Sequence, residues 1–397
     1  MSEKFSPETS RGHEEPVWKA AAAFVPPQWI RSIFPYGKGN VNDTYLVTLS
    51  RAARAESSGS SSGEIAGNRF ILQRLSPAVF QQPDLVMANL GVVTEHVAGR
   101  LKDLPLPPGR RFELPRIVRT LKGQDCLRDD QGFCWRALSF IDGAETFDHI
   151  KDEGHAREVG WALGLFHRLL SDLPPERLAD TLPGFHETPR YLRQYEVALA
   201  GDGFRQSPEV AFCMRFVEER RRWAGVLEEA KSRGELVVRP IHGDPKVNNF
   251  LLERKTGRAV ALVDLDTVKP GLIHYDLGDC LRSGCNPMGE ETPDWEKVSF
   301  EPELARALLS GYLIYARDFL TDQDFLYFYA AVRLMAFELG LRFFTDYLAG
   351  NVYFKVAWRE HNLLRALVQF KLTLSIEAQA EVLQSIIREM RQGAAWR

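Results

Sequence analysis

The chain has 397 residues, of which 45% are hydrophobic and 26% charged, the composition of a soluble globular protein with room for two domains or one large two-lobed unit. Its 50 basic and 53 acidic side chains leave a net charge of -3, which gives no support to a nucleic-acid or membrane-surface partner. No run approaches the roughly 18 uninterrupted apolar residues of a transmembrane helix. The polar start, MSEKFSPETSRGHEEP, lacks the apolar core of a secretion signal, and residues 1–20 read as a disordered tail.

Asp43 to Leu49 alternates polar and apolar side chains and predicts a half-buried strand. Residues 51–63, RAARAESSGSSSG, are of low complexity and read as a flexible loop before the next strand, Arg69 to Leu75. Apolar residues at 86, 90, 93 and 97 predict a helix over Leu85 to Val97. Pro and Gly at 105–109 then precede two strand-like runs, Arg116 to Thr120 and Phe133 to Phe140. Strands, one helix and more strands make a small α+β lobe over residues 1–140. After Asp142-Gly143 the pattern turns helical, at Ala156 to Leu170 and over a long charged stretch, 208–231. A β-rich island at 236–268 follows, and helical patterns fill the chain from 302 onward, so residues 141–397 form a larger, mostly helical lobe. Cysteines at 126, 134, 213, 280 and 285 include no CxxC pair, which argues against zinc and fits the reduced thiols of a cytoplasmic protein.

The chemistry concentrates in VVRPIHGDPKVNNFLLERKTGRAVALVDLDTVKPGLIHYDLGDCLRSGCN, residues 237–286. Pro240 to Asp244 ends an apolar run and enters a loop, and Asn249 follows Asp244 by five. Phe250 to Leu252 and Ala259 to Val263 read as a hairpin turning at Lys255-Thr256-Gly257, with Asp264 at its end and Asp266 just beyond. One Asp and one Asn leaving a loop, with a second Asp topping the adjacent hairpin, bring oxygen ligands toward one point, a donor set suited to Mg2+ that keeps water and phosphate ligands. Phosphoryl transfer needs this set: an Asp to orient and deprotonate the attacking hydroxyl, and an Asn and a second Asp for the metal. Of the two later carboxylates, Asp264 is preferred because it directly follows the apolar strand. Lys246 stands where it would meet the transferred phosphate, against the plainer reading of an exposed charge. His242 reads as a structural loop residue rather than a general base.

HGDPKVNN followed by ALVDLDT and HYDLGD resembles the aminoglycoside phosphotransferase/choline kinase superfamily. GNVNDTYLV, RFILQRLSPAVFQQPDLVMANLGVVTEHV, ELGLRFFTDYLAGNVYF and HNLLRALVQFKLTLSIE are similar to one branch, the N-acetylhexosamine 1-kinases. The resemblance runs in blocks over residues 36–377. It implies a protein-kinase-like two-lobed α+β fold, ATP and Mg2+ as cofactors, and transfer of the γ-phosphate to the anomeric hydroxyl of an N-acetylhexosamine. By position, Asp244 is the catalytic carboxylate, Asn249 and Asp264 are the metal ligands, and Asp276 braces the catalytic loop. Backbone groups from Leu138 to Ile141, Phe140 among them, would bind adenine at the lobe junction. Gly39, Asn40 and Asn42, in GKGNVN, would cover the phosphates, although the third glycine of GxGxxG is missing and an ordinary β-turn is the alternative.

Gln73 departs from the kinase pattern, because the strand after the phosphate loop usually carries a Lys. A nucleotide-binding pseudokinase therefore competes, against which stand intact Asp244, Asn249 and Asp264. Asp84 and Glu95 are both candidates for the carboxylate that usually partners that Lys. Arg342, in GLRFFTDY, is assigned to the sugar, with a helical ion pair to Asp346 as the alternative. Kinases of other small alcohols (amino alcohols, methylthioribose, aminoglycosides) remain open, but cationic acceptors favour dense acidic runs that the second lobe lacks. Gly59 to Gly63 satisfies GxSxG yet sits in the Ser/Gly loop rather than at a strand-to-helix turn, and no P-loop motif is present.

Overall fold

The structure is a computed structural model that describes residues 11–37, 41–50, 67–201 and 204–393. The chain forms two compact units, residues 1–94 with 115–142, and residues 95–114 with 143–397.

Unit 1 is built on a twisted antiparallel sheet. Helix α1 (Arg11–Ala21) comes first, where the polar sequence reads as a tail. Its Val17, Ala20 and Ala21 are buried with Phe24 and Val25 in the core of the unit, so an apolar face missed among charged residues pins this segment down. Strands β1 (Ile30–Pro35), β2 (Asp43–Leu49) and β3 (Arg69–Arg74) follow. Helix α2 (Pro83–Asp103) starts in unit 1 and ends in the residues assigned to unit 2. Short strands β4 (Ile117–Val118) and β5 (Leu127–Arg128) and strand β6 (Cys134–Ser139) complete the sheet, in the order β1-β2-β3-β6-β4 with β5 on β6. Val47, Phe70, Leu72, Trp135 and Ala137 fill its buried face.

Unit 2 is mainly helical. Strand β7 (Ala144–Glu145) leads into α3 (Glu153–Leu170), capped by the Asp152 carboxylate on the His155 N–H. Helix α4 (Thr188–Leu199) is next. The stretch 208–231 is not one helix but two, α5 (Pro208–Arg220) and α6 (Val226–Ser232), parted by a 3-10 turn and Gly225. Strand β8 (Arg239–Ile241), the hairpin β9 (Phe250–Glu253) and β10 (Ala259–Leu262), and β11 (Lys269–Gly271) make the β-rich island. The pairings are β10-β9-β7 and β11-β8. Gly257 takes the positive φ, 69°, that the hairpin turn requires. Helices α7 (Ile273–Gly284), α8 (Pro302–Ala316), α9 (Asp322–Leu348), α10 (His361–Ala378) and α11 (Ala380–Gln392) complete the unit.

Two contacts position the site. Helices α3 and α8 cross at glycines: a Cβ on Gly160 would lie 1.9 Å from the Leu308 carbonyl oxygen, and one on Gly311 2.0 Å from that of Arg157. This approach brings His167 of α3 to Tyr312 of α8. Helix α7 is held against α9 in the same way, since a Cβ on Gly278 would meet the Ala331 carbonyl oxygen at 2.7 Å. Among the described residues no helix is long and apolar enough to cross a membrane.

Candidate active site

The loop after β8 carries Asp244, the candidate catalytic carboxylate. Asp244 accepts a hydrogen bond from Lys246 Nζ at 2.8 Å. Burial pushes the Asp244 carboxyl up, but the neighbouring Lys246 ammonium and its hydrogen bond outweigh burial, and the group titrates below the usual range. Asp244 is therefore an ionised carboxylate at neutral pH, able to receive a hydroxyl proton in its hydrogen bond. His242 is wholly buried; its Nε2 donates to the Val263 carbonyl at 2.9 Å, and its Nδ1 accepts from the Asp244 N–H at 3.2 Å. Burial lowers its pKa, so the ring is neutral and both nitrogens are spent on the loop.

Helix α7 holds this loop from behind. The Asp276 carboxylate, fully buried, accepts from the His242 N–H at 2.6 Å and the Gly243 N–H at 2.8 Å. It also accepts from His167 Nε2 at 2.8 Å, and the Tyr312 hydroxyl lies 3.0 Å from His167 Nδ1. Burial alone would raise the Asp276 pKa, yet the hydrogen bond and charge of His167 lower it overall. Residue 243 must be glycine, because its φ is 87° and a Cβ there would meet the Thr267 carbonyl oxygen at 2.6 Å. On the far side, His186 Nε2 donates to the Gly243 carbonyl at 2.7 Å, while its Nδ1 lies 2.8 Å from Glu338 Oε1. His167, His186 and Glu338 are absent from the sequence reading, because each lies tens of residues from the motif and only packing joins them to it.

The metal-donor candidates share the next turn. Asn249 is 5% exposed and donates its Nδ2 to the Asp244 carbonyl at 2.7 Å, which leaves Oδ1 to face a cation. The Val263 N–H bonds the Asn249 carbonyl at 2.9 Å and ties the loop to the end of the hairpin. Asp264 follows in the left-handed region, φ 64° and ψ 54°, at a cost of roughly 1–2 kcal/mol for a residue with a Cβ. Its side chain is exposed, whereas Asp266 is buried at 3%. Among the described residues no group of three or more His, Cys, Asp or Glu side chains is arranged to hold a metal. Two oxygen donors from the protein, completed by phosphate and water, fit Mg2+ and no softer ion.

Arg342, on α9, does not pair with Asp346. The Asp346 carboxylate instead accepts the N–H groups of Val352, Tyr353 and Phe354 at 2.8 to 2.9 Å and so fixes the loop between α9 and α10. The Arg342 guanidinium lies 5.1 Å from the ring centre of Phe185, 5.2 Å from Tyr191, 5.5 Å from Phe354 and 5.9 Å from Tyr353. It makes no hydrogen bond or ion pair with the described residues.

In unit 1, Gln73 pairs across the sheet with Arg136 rather than with a carboxylate. Its Oε1 accepts from Arg136 Nε and Nη2 at 3.0 and 2.8 Å, and its Nε2 donates to Thr44 Oγ1 at 3.0 Å. Asp84 bonds Arg128 at 2.7 Å, and Glu95 is exposed. The sequence reading missed Arg136; its signal is register, since it sits directly opposite Gln73. Asn42 Oδ1 accepts the Ser76 N–H at 3.0 Å, whereas Gly39 and Asn40 lie outside the described residues, as does the Ser/Gly stretch 51–66. Leu138 is buried on β6, and Phe140 stacks under the Arg69 guanidinium at 4.2 Å.

Comparison with known proteins gives the same fold. A sequence model of the phosphotransferase enzyme family, APH, matches residues 33–321. An aminoglycoside phosphotransferase from Alicyclobacillus acidocaldarius is 16% identical with a TM-score of 0.54, over 99% of this chain and 98% of that one. The microcompartment-associated aminopropanol kinase is 16% identical with a TM-score of 0.59, over 94% and 98%. A choline kinase from Cryptosporidium parvum is 14% identical with a TM-score of 0.58, over 96% and 99%. At such identities the likeness is one of fold, the protein-kinase-like α+β architecture.

Proposed function

The chain belongs to the phosphotransferase enzyme family, and from that premise we propose that it is an ATP- and Mg2+-dependent kinase of a sugar, with the anomeric hydroxyl of an N-acetylhexosamine as acceptor. Asp244 orients that hydroxyl and accepts its proton as the oxygen attacks in line. Lys246, bonded to Asp244 at 2.8 Å, steadies the carboxylate and meets the transferred phosphoryl group. Asn249 Oδ1 and the Asp264 carboxylate would hold Mg2+. The ion, when bound, neutralises phosphate charge. The protein does little covalent work; positioning and electrostatics supply the rate. In unit 1 we assign the backbone near Leu138 and Phe140 to adenine, and Gly39, Asn40, Asn42 and Gln73 to the phosphates.

The observation that carries the acceptor class is Arg342. A guanidinium that bonds no carboxylate among the described residues, framed by four aromatic rings, supports a neutral, hydroxyl-rich acceptor. It repels the ammonium groups of choline, aminopropanol and aminoglycosides. The amide oxygen and hydroxyls of an N-acetylhexosamine are acceptors that its donors match.

The test is ADP release from ATP and Mg2+ over N-acetylglucosamine, N-acetylgalactosamine, choline, ethanolamine and kanamycin. The expected outcome is kcat/KM for an N-acetylhexosamine at least tenfold above every cationic acceptor. Arg342→Leu should raise the sugar KM by about 10- to 100-fold. Faster turnover of a cationic acceptor keeps the kinase and removes the sugar.

A further inference from the structure

The peptide between Gly243 and Asp244 is held at both ends by histidines. Its N–H donates to His242 Nδ1 at 3.2 Å, and its carbonyl oxygen accepts from His186 Nε2 at 2.7 Å. This peptide carries the Asp244 Cα, so its orientation sets where the carboxylate points. His186 reaches it from the segment before α4, with its own backbone in the left-handed region at φ 69°. A residue with a Cβ stays there only where the surroundings dictate it. The buried ring lies 3.9 Å from that of Phe185 and 5.2 Å from that of Tyr275 on α7.

Both nitrogens of this ring face oxygens that only accept. Nε2 meets the Gly243 carbonyl, and Nδ1 meets Glu338 Oε1 at 2.8 Å. Two donors are needed, and among the forms of histidine only the imidazolium has two. Glu338, on α9 and 1% exposed, faces it as the counter-charge, and its Oε2 takes the Thr188 hydroxyl at 2.6 Å. Burial lowers the His186 pKa, but Glu338 outweighs burial, with Asp279 of α7 adding to the rise, and the ring titrates above its ordinary value. Arg342, further along α9, and Tyr191 also lie in the field of Glu338. Burial raises the phenols of Tyr275 and Tyr191, the latter to about 12, so neither changes charge where a histidine does.

We propose that His186 is a positioning residue for phosphoryl transfer: as the imidazolium paired with Glu338, it holds the Gly243 carbonyl and so aims Asp244 at the acceptor hydroxyl. This rests on the kinase reading above and adds to it a protonation state on which Asp244 depends. When the ring gives up one proton, the other stays at Nδ1, because a carboxylate is a stronger acceptor than a carbonyl. Nε2 then turns a lone pair on the Gly243 oxygen, and two buried acceptors that face each other release the peptide. Glu338→Gln removes this dependence. The new amide oxygen accepts from Thr188 and the amide nitrogen donates to His186 Nδ1, so a neutral ring keeps its proton on Nε2 and its bond to Gly243.

The experiment measures kcat with saturating ATP and Mg2+ from about pH 6 to about pH 10 for the wild type, Glu338→Gln, Glu338→Ala and His186→Gln. The acceptor is whichever of N-acetylglucosamine, N-acetylgalactosamine, choline, ethanolamine and kanamycin reacts fastest. Wild-type kcat should fall about tenfold or more along a one-proton limb above pH 6.5, while the ATP Kd changes by less than about threefold. Glu338→Gln should melt with the wild type, keep kcat within about threefold at neutral pH and lack the limb. Glu338→Ala and His186→Gln should lie about tenfold or more below wild type at neutral pH. A flat wild-type profile, the wild-type limb kept in Glu338→Gln, or full activity in His186→Gln overturns the proposal and leaves the kinase reading intact. A second readout needs no turnover: with nitrogen-15 in its histidine rings, the full chain at pH 6.5 should show both His186 nitrogens protonated, in signals that His186→Gln lacks. One protonated nitrogen overturns the proposal whatever the acceptor. No transfer to any of the five acceptors overturns the kinase reading, and the role of His186 in transfer with it.

Discussion

The loop after β8 in unit 2 and the Gln73 cluster of unit 1 solve the same problem, holding polar side chains in a fixed place, by different means. Asp276, His186 and Thr267 reach residues 242 and 243 from three separate segments, and His167 braces Asp276 from a fourth. Gln73, Arg136 and Thr44 sit on three neighbouring strands and are aligned by register alone. The loop is thus fixed by tertiary contacts that the local sequence does not contain, whereas the cluster is fixed by the sheet that carries it. Charge differs as well. The loop concentrates carboxylates balanced by Lys246 and Arg282, while the cluster holds one buried Arg against a neutral amide.

The comparison breaks most visibly at Asp276. Asp276→Ala strips the partner from two loop N–H groups and from His167, all buried, and should cost about 3–5 kcal/mol in urea unfolding, with activity lost in proportion. An effect near that of a surface substitution would mean that the loop holds its own shape. A smaller effect is expected in unit 1. Gln73→Lys restores the residue usual in kinases but sets an ammonium beside the buried Arg136 guanidinium, so it should destabilise by about 2 kcal/mol and not raise turnover. A gain in both would show that Gln73 is a lesion rather than a partner for Arg136.

The smallest effect is one of pH. Burial alone would lower the His186 pKa, but Glu338 holds it above its ordinary value of 6.5. A raised folded-state pKa gives stability that is fully present below the unfolded value and is lost as pH rises through the folded one. The stability that His186 contributes should therefore shrink as pH rises above the ordinary value of 6.5, and the gap in unfolding free energy between wild type and His186→Gln should narrow over that rise. A variant whose profile keeps the wild-type slope would place the dependence elsewhere.

How much of this was legible in the sequence divides along the same line. Strand β2 was read over its full span, and β3, α3, β6 and the β9-β10 hairpin within a few residues, because alternation, helical spacing and a Lys-Thr-Gly turn are local signals. Asp244, Asn249 and Asp264 were singled out by spacing, and the structure sets them on one loop and at the end of the hairpin beside it. Helix α1 was missed because Arg, His and Glu residues dilute its apolar face, and 208–231 was read as one helix because Gly225 was given no weight as a breaker. The left-handed Asp264 could not be seen, since only the pairing around it forces a residue with a Cβ into that region. Arg136 and His167 were invisible for one reason: each acts through a neighbour distant in the chain.

The measurement that tests the central claim most directly is phosphoryl transfer by Asp244→Asn, read as ADP release with ATP, Mg2+ and N-acetylglucosamine beside nucleotide binding by calorimetry. The account predicts that kcat falls by about a thousandfold while the ATP Kd changes by less than about threefold, because Asp244 acts on the acceptor hydroxyl. Turnover within tenfold of wild type would contradict it and move the catalytic carboxylate away from the loop that α7 holds.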